Sequence, residues 1–418
     1  MASRMILLLT LGTLLARAID AQTSSAAARD VARLADDALE GRLTGSPGAD
    51  SAAAYIASRF RELGLTQVPA LAGWTQTFIV SPNAPAAHGS GLGGASGHNV
   101  VALLGGQDPA LAERYVVIGA HYDHLGLGGG GNSLDPANAG QVHNGADDNA
   151  SGVAALLETA RRLVERPAPW TTVFVAFSGE EQGVIGSTEF VRSAVIPMDQ
   201  VLFMLNFDMV GRLRDDRLTV FGAESAEEWN EVLDAANRGH GLALNPQPGA
   251  YGPSDHTSFT VAGVPVLHFF TGSHEDYHRS TDDAQKVNVA GLQRVAALAT
   301  DVLHSVAARR APLTLVRVPA PAPAQGRGYG AWLGTVPDMT DNPGGVRISG
   351  VSPGSPAEAA GLKGGDVVLR IGDHEVPDLQ AMTDALRSHK PGDAVIVVVR
   401  RDGEELHIPV TLGQRNRP

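Results

Sequence analysis

Two histidines and five carboxylates stand where this chain could hold a divalent ion. They are His121 and Asp123 in "HYDHLG", Asp148 in "GADDNASG", Glu180 and Glu181 in "FSGEEQG", Asp208 in "NFDMVG" and His278 in "DYHRSTDD". The chain has no cysteine, which excludes disulfides, thiolate zinc sites and a Cys nucleophile, so any metal must be held by His, Asp and Glu. That donor set fits zinc or a similar divalent ion. His121 and Asp123 are two residues apart and share a face if strand geometry persists. Asp123 can then accept the second N–H of the imidazole, as metal-ligating histidines usually require.

These residues follow short apolar runs. "YVVIGA" (115–120), "TTVFVAF" (171–177), "VLFMLNF" (201–207) and "VPVLHFF" (264–270) read as strands buried on both faces. "SGVAALLETARRLVER" starts a helix near Ser151, with Val153, Leu156, Leu157, Ala160, Leu163 and Val164 at helical spacing and Pro167 beyond its end. Residues 288–309 form a second amphipathic helix. Alternating strands and helices predict an α/β fold, a mainly parallel central sheet with helices on both faces. Ligands of such a sheet bind beyond the carboxyl ends of its strands, and there the seven residues fall. The adjacent carboxylates Glu180 and Glu181 come after their strand has ended at Ser178-Gly179, so alternation no longer sends them to opposite faces.

"GAHYDH", "NGADDNASG", "FSGEEQGVIGS", "NFDMVGR" and "YHRSTDD", in this order, resemble peptidase family M28, the co-catalytic dizinc aminopeptidases. "LEGRLTGSPG" upstream and "SDHTSF" (254–259) extend the resemblance to roughly residues 30–310. It implies a zinc exopeptidase-like fold and two Zn2+ ions, with cobalt or manganese as alternatives. His121 and Asp208 would bind one ion, Glu181 and His278 the other, and Asp148 would bridge them. Glu180 would be the general base, Asp123 the partner of His121, and Tyr277 an aid to the oxyanion. The implied substrates are peptides with a free N-terminus, trimmed one residue at a time. Two rival readings are a glutaminyl-cyclase-like acyltransferase with a single metal, and a non-catalytic PDZ scaffold. The intact Asp148, Glu180 and Glu181 weigh against the second.

Competing motifs fit less well. "HEDYH" (274–278) spells H-E-x-x-H, which works only on a buried helix with both histidines on one face. Almost nothing apolar lies between Phe270 and Val287 to bury such a helix, so a loop is expected. "GSGLGG" and "GLGGGG" match a dinucleotide fingerprint by letter but follow no strand. "GVSPG" (350–354) reads as a turn rather than a nucleophile elbow. Of the remaining histidines, His124 borders the site most closely.

Length and composition set the frame. The 418 residues suggest two to three domains, and 43% hydrophobic residues suffice for ordinary cores. A formal net charge of −13 argues against nucleic-acid or anionic-membrane partners. Residues 1–21 read as a signal peptide: Arg4, an apolar core from Ile6 to Leu15, and cleavage sites after Ala18 or Ala21. That core is too short to span a membrane, so a periplasmic or secreted protein is expected. The metallopeptidase domain is then 22–312, and "VPAPAPAQGRG" belongs to a Pro/Ala-rich linker at 313–327. Residues 328–415 resemble a small β-rich PDZ domain of the bacterial type, through "AWLG" (331–334) and "SPAEAAGLKGGDVVLRIGD". In such a domain Trp332, Leu333 and Gly334 would form the loop that holds the carboxylate of a protein C-terminus.

Overall fold

The computed structural model describes residues 25–81, 92–128, 133–193, 195–309, 311–317, 331–337, 344–351, 354–377 and 379–414. The signal-peptide expectation (1–21) and most of the expected linker (318–327) lie outside them. Among the described residues, no helix is long and apolar enough to cross a membrane. The chain divides into two compact units, Met1–Thr271 with His278–Val318 and Gly272–Tyr277 with Pro319–Pro418.

The first unit is built on eight strands: β1 (Thr75–Ile79), β2 (Ser96–Leu104), β3 (Tyr115–His121), β4 (Thr171–Phe177), β5 (Val201–Phe207), β6 (Arg217–Phe221), β7 (Ala243–Gln247) and β8 (Val266–Phe270). They form one sheet in the order β1-β2-β4-β3-β5-β8-β6-β7. The sheet is mixed, with a parallel centre. β4, β3, β5 and β8 run parallel, and antiparallel pairings flank them at β1-β2, β2-β4 and β6-β8. The four central strands are the four apolar runs that precede the candidate ligands.

Both faces of the sheet are covered, which explains why those runs do not alternate. Helices α1 (Ala26–Leu34), α2 (Pro47–Glu62), α3 (Gly152–Glu165), α4 (Ile185–Arg192), α5 (Trp229–Asn237), α6 (His256–Val261) and α7 (Val289–Arg309) surround it. Val116, Ile118, Ala120, Phe174 and Leu205 pack on one face with Leu156, Leu163, Trp229 and Leu298 from α3, α5 and α7. Val117, Val173, Val175 and Met204 pack on the other with Phe190 of α4 and Phe259 of α6. Successive strand residues point to opposite faces, so each must be apolar when both faces are dry. α2 starts where Ser46 caps the Ala49 N–H at 3.2 Å and Pro47 takes the first turn.

The strand order also fixes where chemistry belongs. The chain passes from β3 to its neighbour β4, then returns to β5 on the opposite side of β3. The connections on the two sides of β3 therefore diverge and leave a crevice above its carboxyl end. His121 is the last residue of β3.

The second unit is an antiparallel sheet of β9 (Thr335–Pro337), β10 (Val346–Val351), β11 (Val367–Ile371), β12 (His374–Glu375), β13 (Ala394–Arg401) and β14 (Glu404–Thr411). Helices α8 (Pro356–Ala359) and α9 (Leu379–Ser388) accompany it. Its separate core contains Leu333, Ile348, Val368, Ile371, Met382 and Val397. Buried Asp366 takes two bonds from Arg401, at 2.6 and 2.7 Å, which tie the turn before β11 to β13.

Two expectations about this part of the chain need correction. Residues 313–317 are not linker. Glu227 N–H donates to Thr314 O, Leu315 bridges Ala226, and Val316 N–H donates to Ser225 O, so the segment closes the first unit. In the expected carboxylate loop, Trp332 exchanges both its N–H and its C=O with Gly413 at 2.8 Å. Its amide is spent on the sheet, and only those of Leu333 and Gly334 remain to be considered for a carboxylate.

Candidate metal centre

The parallel strand ends bring the expected residues together. His121 Nε2 lies 3.4 Å from Asp148 Oδ1 and 3.4 Å from Asp208 Oδ1. On the other side of Asp148, His278 Nε2 lies 3.3 Å from Asp148 Oδ2 and 3.3 Å from Glu181 Oε2. All four separations exceed the usual N–H···O range of ~2.7–3.2 Å. Two donors each ~2.0–2.1 Å from one tetrahedral ion lie about 3.3–3.4 Å apart. The four distances match those expected of ligands around two cation positions that would share Asp148. This donor set fits two divalent ions: His121, Asp208 and one oxygen of Asp148 for the first, His278, Glu181 and the other oxygen for the second.

Glu180 is outside both triplets. Its Oε2 is 4.0 Å from His121 Nε2, and its side chain is 10% exposed, so it faces the first position without joining it. Burial pushes its carboxyl well above the usual carboxylate range. His121 opposes that shift, while Asp208, Glu181 and Asp255 add to it. Glu181 goes the other way: burial would raise it, but His278 and His124 bring it down to about 2. The two neighbouring glutamates are therefore shifted in opposite directions, Glu180 upwards by burial and Glu181 downwards by the two histidines beside it.

The Asp123 carboxylate does not do what its spacing suggested. The ring Nδ1–H of His121 donates to the main-chain O of Asp123 at 3.1 Å, and the carboxylate stands off at 3.8 Å. That carboxylate is turned towards the next strand end, where it accepts from Glu180 N–H at 3.2 Å, Glu181 N–H at 3.4 Å and Thr44 Oγ1 at 3.1 Å. Strand alternation ends at His121, so the two-residue spacing no longer puts both side chains on one face. Asp123 thus orients the Glu180–Glu181 turn, and a backbone carbonyl fixes the His121 ring.

Residues to which the sequence assigns no role also build the site, His124 at its border among them. His124 donates from Nδ1 to Glu181 Oε1 at 2.7 Å. That is a hydrogen-bond length, not a ligand edge, so His124 holds one oxygen of Glu181 while the other faces His278. Its ring also meets that of His278 edge to face at 5.8 Å. Asp282 accepts from the N–H groups of Asp147 and Asp148 at 2.8 and 3.1 Å, and from Arg212 at 2.8 Å. It therefore fixes the backbone that presents the shared carboxylate. Gly145 stands at φ +52, and a Cβ there would sit 2.1 Å from Asp148 O and 2.5 Å from the His124 ring, so only glycine permits the turn. Asp282 was visible in "YHRSTDD", but Asp147 and Asp148 are over 130 residues away from it, beyond any local pattern.

Tyr277 precedes His278 in a turn, and its N–H donates to His274 O. The segment 274–278 is not helical, and His278 itself has φ +54, which excludes the H-E-x-x-H arrangement.

The charge pattern predicts how the metal-free protein responds to pH. Burial would lower His121 and His278, but Asp208, Glu180, Glu181 and Asp148 hold both well above the imidazole range. A histidine raised on folding stabilises fully below ~6.5 and loses that contribution as pH rises through its folded value. Raised Glu180 acts in the same direction, because folding favours its protonated form. Depressed Asp148 and Glu181 stabilise above the carboxylate range and lose that contribution only in acid. In chelator, Tm should therefore fall over the interval in which pH rises above ~6.5, and added Zn2+ should remove much of the slope. Thermal melts in EDTA across that interval check this; a flat Tm contradicts it.

Comparisons with known proteins agree with the geometry. Residues 99–303 match peptidase family M28, and residues 332–412 match the PDZ domain. Aminopeptidase YwaD of Bacillus subtilis is 29% identical over 185 residues, which cover 41% of this chain and 40% of that protein. The chain thus spans less than half of that relative's length. Among solved structures, BSAP, a zinc aminopeptidase from Bacillus subtilis, superposes with a TM-score of 0.54 at 18% identity, over 69% of this chain and 94% of that one. Bacteroides thetaiotaomicron glutaminyl cyclase does so with a TM-score of 0.54 at 17% identity, over 66% and 96%. At such identities the structures speak for the fold.

Proposed function

The chain belongs to peptidase family M28 through residues 99–303 and carries a PDZ domain over residues 332–412, and from that premise we propose that it is an exported zinc aminopeptidase with a two-ion centre. The observation that carries this reading is Asp148, which offers one oxygen beside His121 and the other beside His278 at 3.4 and 3.3 Å. When bound, the ions would supply Lewis acidity towards a scissile carbonyl and a water.

The protein's own groups divide the remaining work. Glu180 takes a proton from the attacking water at Oε2 and returns it to the leaving amine. Its position suits that role, because it faces the first position from 4.0 Å without joining the ligands. Asp123 keeps Glu180 aimed through the Glu180 N–H. His124 keeps Glu181 in place by occupying its other oxygen. The carboxylates of Glu180 and Asp208 present an anionic rim to a substrate's α-ammonium, which accounts for trimming from a free N-terminus. Tyr277 is assigned to the oxyanion on family resemblance. The PDZ unit would take protein C-termini, with the terminal carboxylate on the amides of Leu333 and Gly334. Export rests on the composition of residues 1–21.

A panel of aminoacyl-amides and their N-blocked analogues, assayed with and without chelator, tests the reading. Free-amine substrates should be cleaved, blocked ones spared, and chelation should abolish turnover. Equal cleavage of blocked substrates would end the aminopeptidase assignment. The fold shared with a glutaminyl cyclase raises a second reading, acyl transfer at a single metal. Metal analysis separates the two, since about two ions per chain supports the peptidase and one supports the cyclase.

A further inference from the structure

Arg42 is fully buried and touches no metal-ligating side chain at hydrogen-bond distance among the described contacts. Its guanidinium instead spends its donors on backbone carbonyls. Nε donates to Tyr122 O at 2.7 Å, Nη1 to Asn144 O at 2.7 Å and to Leu34 O, and Nη2 to Gly145 O at 3.0 Å. Tyr122 follows His121 directly, and Gly145 opens the turn that presents Asp148. One rigid, planar fork thus joins the exit of β3, the entry to the shared-carboxylate turn and the end of α1.

The backbone of the same residue reinforces the link. His124 N–H donates to Arg42 O at 3.4 Å, and Gly126 N–H to Gly41 O at 3.0 Å. Gly41 stands at φ +68, and a Cβ there would lie 2.4 Å from Gly126 O and 2.6 Å from His143 O. The turn is wedged between the two ligand-bearing segments. Burying a cation without an ion pair is costly, and a fold that only needed to fill this space would use an apolar side chain. The surroundings account for the charge. Burial lowers Arg42 to about 10, and the nearby carboxylates Asp123, Asp148, Asp282 and Glu181 act to keep it charged.

We propose that Arg42 is a positioning residue of the metal centre, holding the His121 segment and the Asp148 turn at the separation that lets both reach one ion. The inference rests on the two-ion reading above. It makes the two positions unequal. The first takes two of its donors, His121 and Asp148, from segments pinned by Arg42. The second takes only Asp148 from them, with His278 and Glu181 held by other elements.

The test uses the full chain, stripped by chelator and titrated with Co2+ by visible absorption, then with Zn2+ against a chromophoric chelator. Arg42→Met should lower the affinity of the first position ~10–100-fold, as loss of an orienting partner does, and the second much less. Arg42→Lys keeps the charge but cannot span three segments, and should show the same selective loss. Arg59→Met, which breaks the ion pair with Asp30, should lower Tm and leave both affinities unchanged. If Arg42→Met does not fold, Gly41→Ala displaces the same turn and should reproduce the selective loss. Wild-type affinities at both positions in the Arg42 variants, or full recovery in Arg42→Lys, would overturn the proposal. Failure of the wild-type chain itself to bind two ions would instead overturn the two-ion reading.

Discussion

Glu180→Gln is expected to retain the metal content of the wild type and to lose ~10²–10⁴-fold in kcat, the usual range for removal of a general base. The substitution keeps the shape of the side chain, and Glu180 stands 4.0 Å from His121 Nε2, outside both ligand triplets, so metal content should not change. KM should move little, because the lost proton transfer belongs to the transition state. The rate should not recover at high pH, since glutamine has no proton to lose. Metal analysis beside steady-state kinetics on an aminoacyl-amide decides it. Full activity in Glu180→Gln removes Glu180 as the base, and loss of metal would make it a ligand.

Asp148→Ala is expected to empty both positions, weakening each at least ~100-fold. Among the described contacts, Asp148 is the residue that places an oxygen beside both His121 and His278. Without it each position keeps two protein donors, one fewer than the three of a typical catalytic zinc site. Glu181→Ala should weaken only the position shared with His278. Zn2+ content of the purified variants and Co2+ titration measure the contrast. Retention of two ions by Asp148→Ala would refute the shared-carboxylate arrangement, whatever the activity.

The contrast between Asp148 and Asp123 shows how far the sequence could be read. Asp148 was placed from the motif around it, and the structure puts it between the two histidines. Spacing and family resemblance both pair the Asp123 carboxylate with His121, and that pairing fails once the chain leaves β3. The carboxylate was free to turn towards the N–H groups of Glu180 and Glu181, a partner choice made by a neighbouring strand. His124 shows the complementary limit: the sequence sets it at the border of the site but gives it no role there. A lone histidine in a loop carries no pattern, and its bond to Glu181 exists only because β3 and β4 lie side by side.

By itself, the sequence determined the strand ends and the residues mounted on them. Runs such as "TTVFVAF" and "VLFMLNF" state locally that they are buried on both faces, and the first polar residue after each marks the rim of the sheet. The PDZ unit is legible for the same reason, through turn residues and a short amphipathic helix at fixed offsets. The absence of cysteine limited any metal site to His, Asp and Glu. Only the tertiary structure decided which side chains hold the ligands in place. Arg42 reaches Tyr122 across 80 residues and Asn144 across 102, and Asp282 reaches Asp147 across 135. Such bonds depend on how the chain returns to the same crevice, and a periodicity of two or 3.6 residues contains no record of that return.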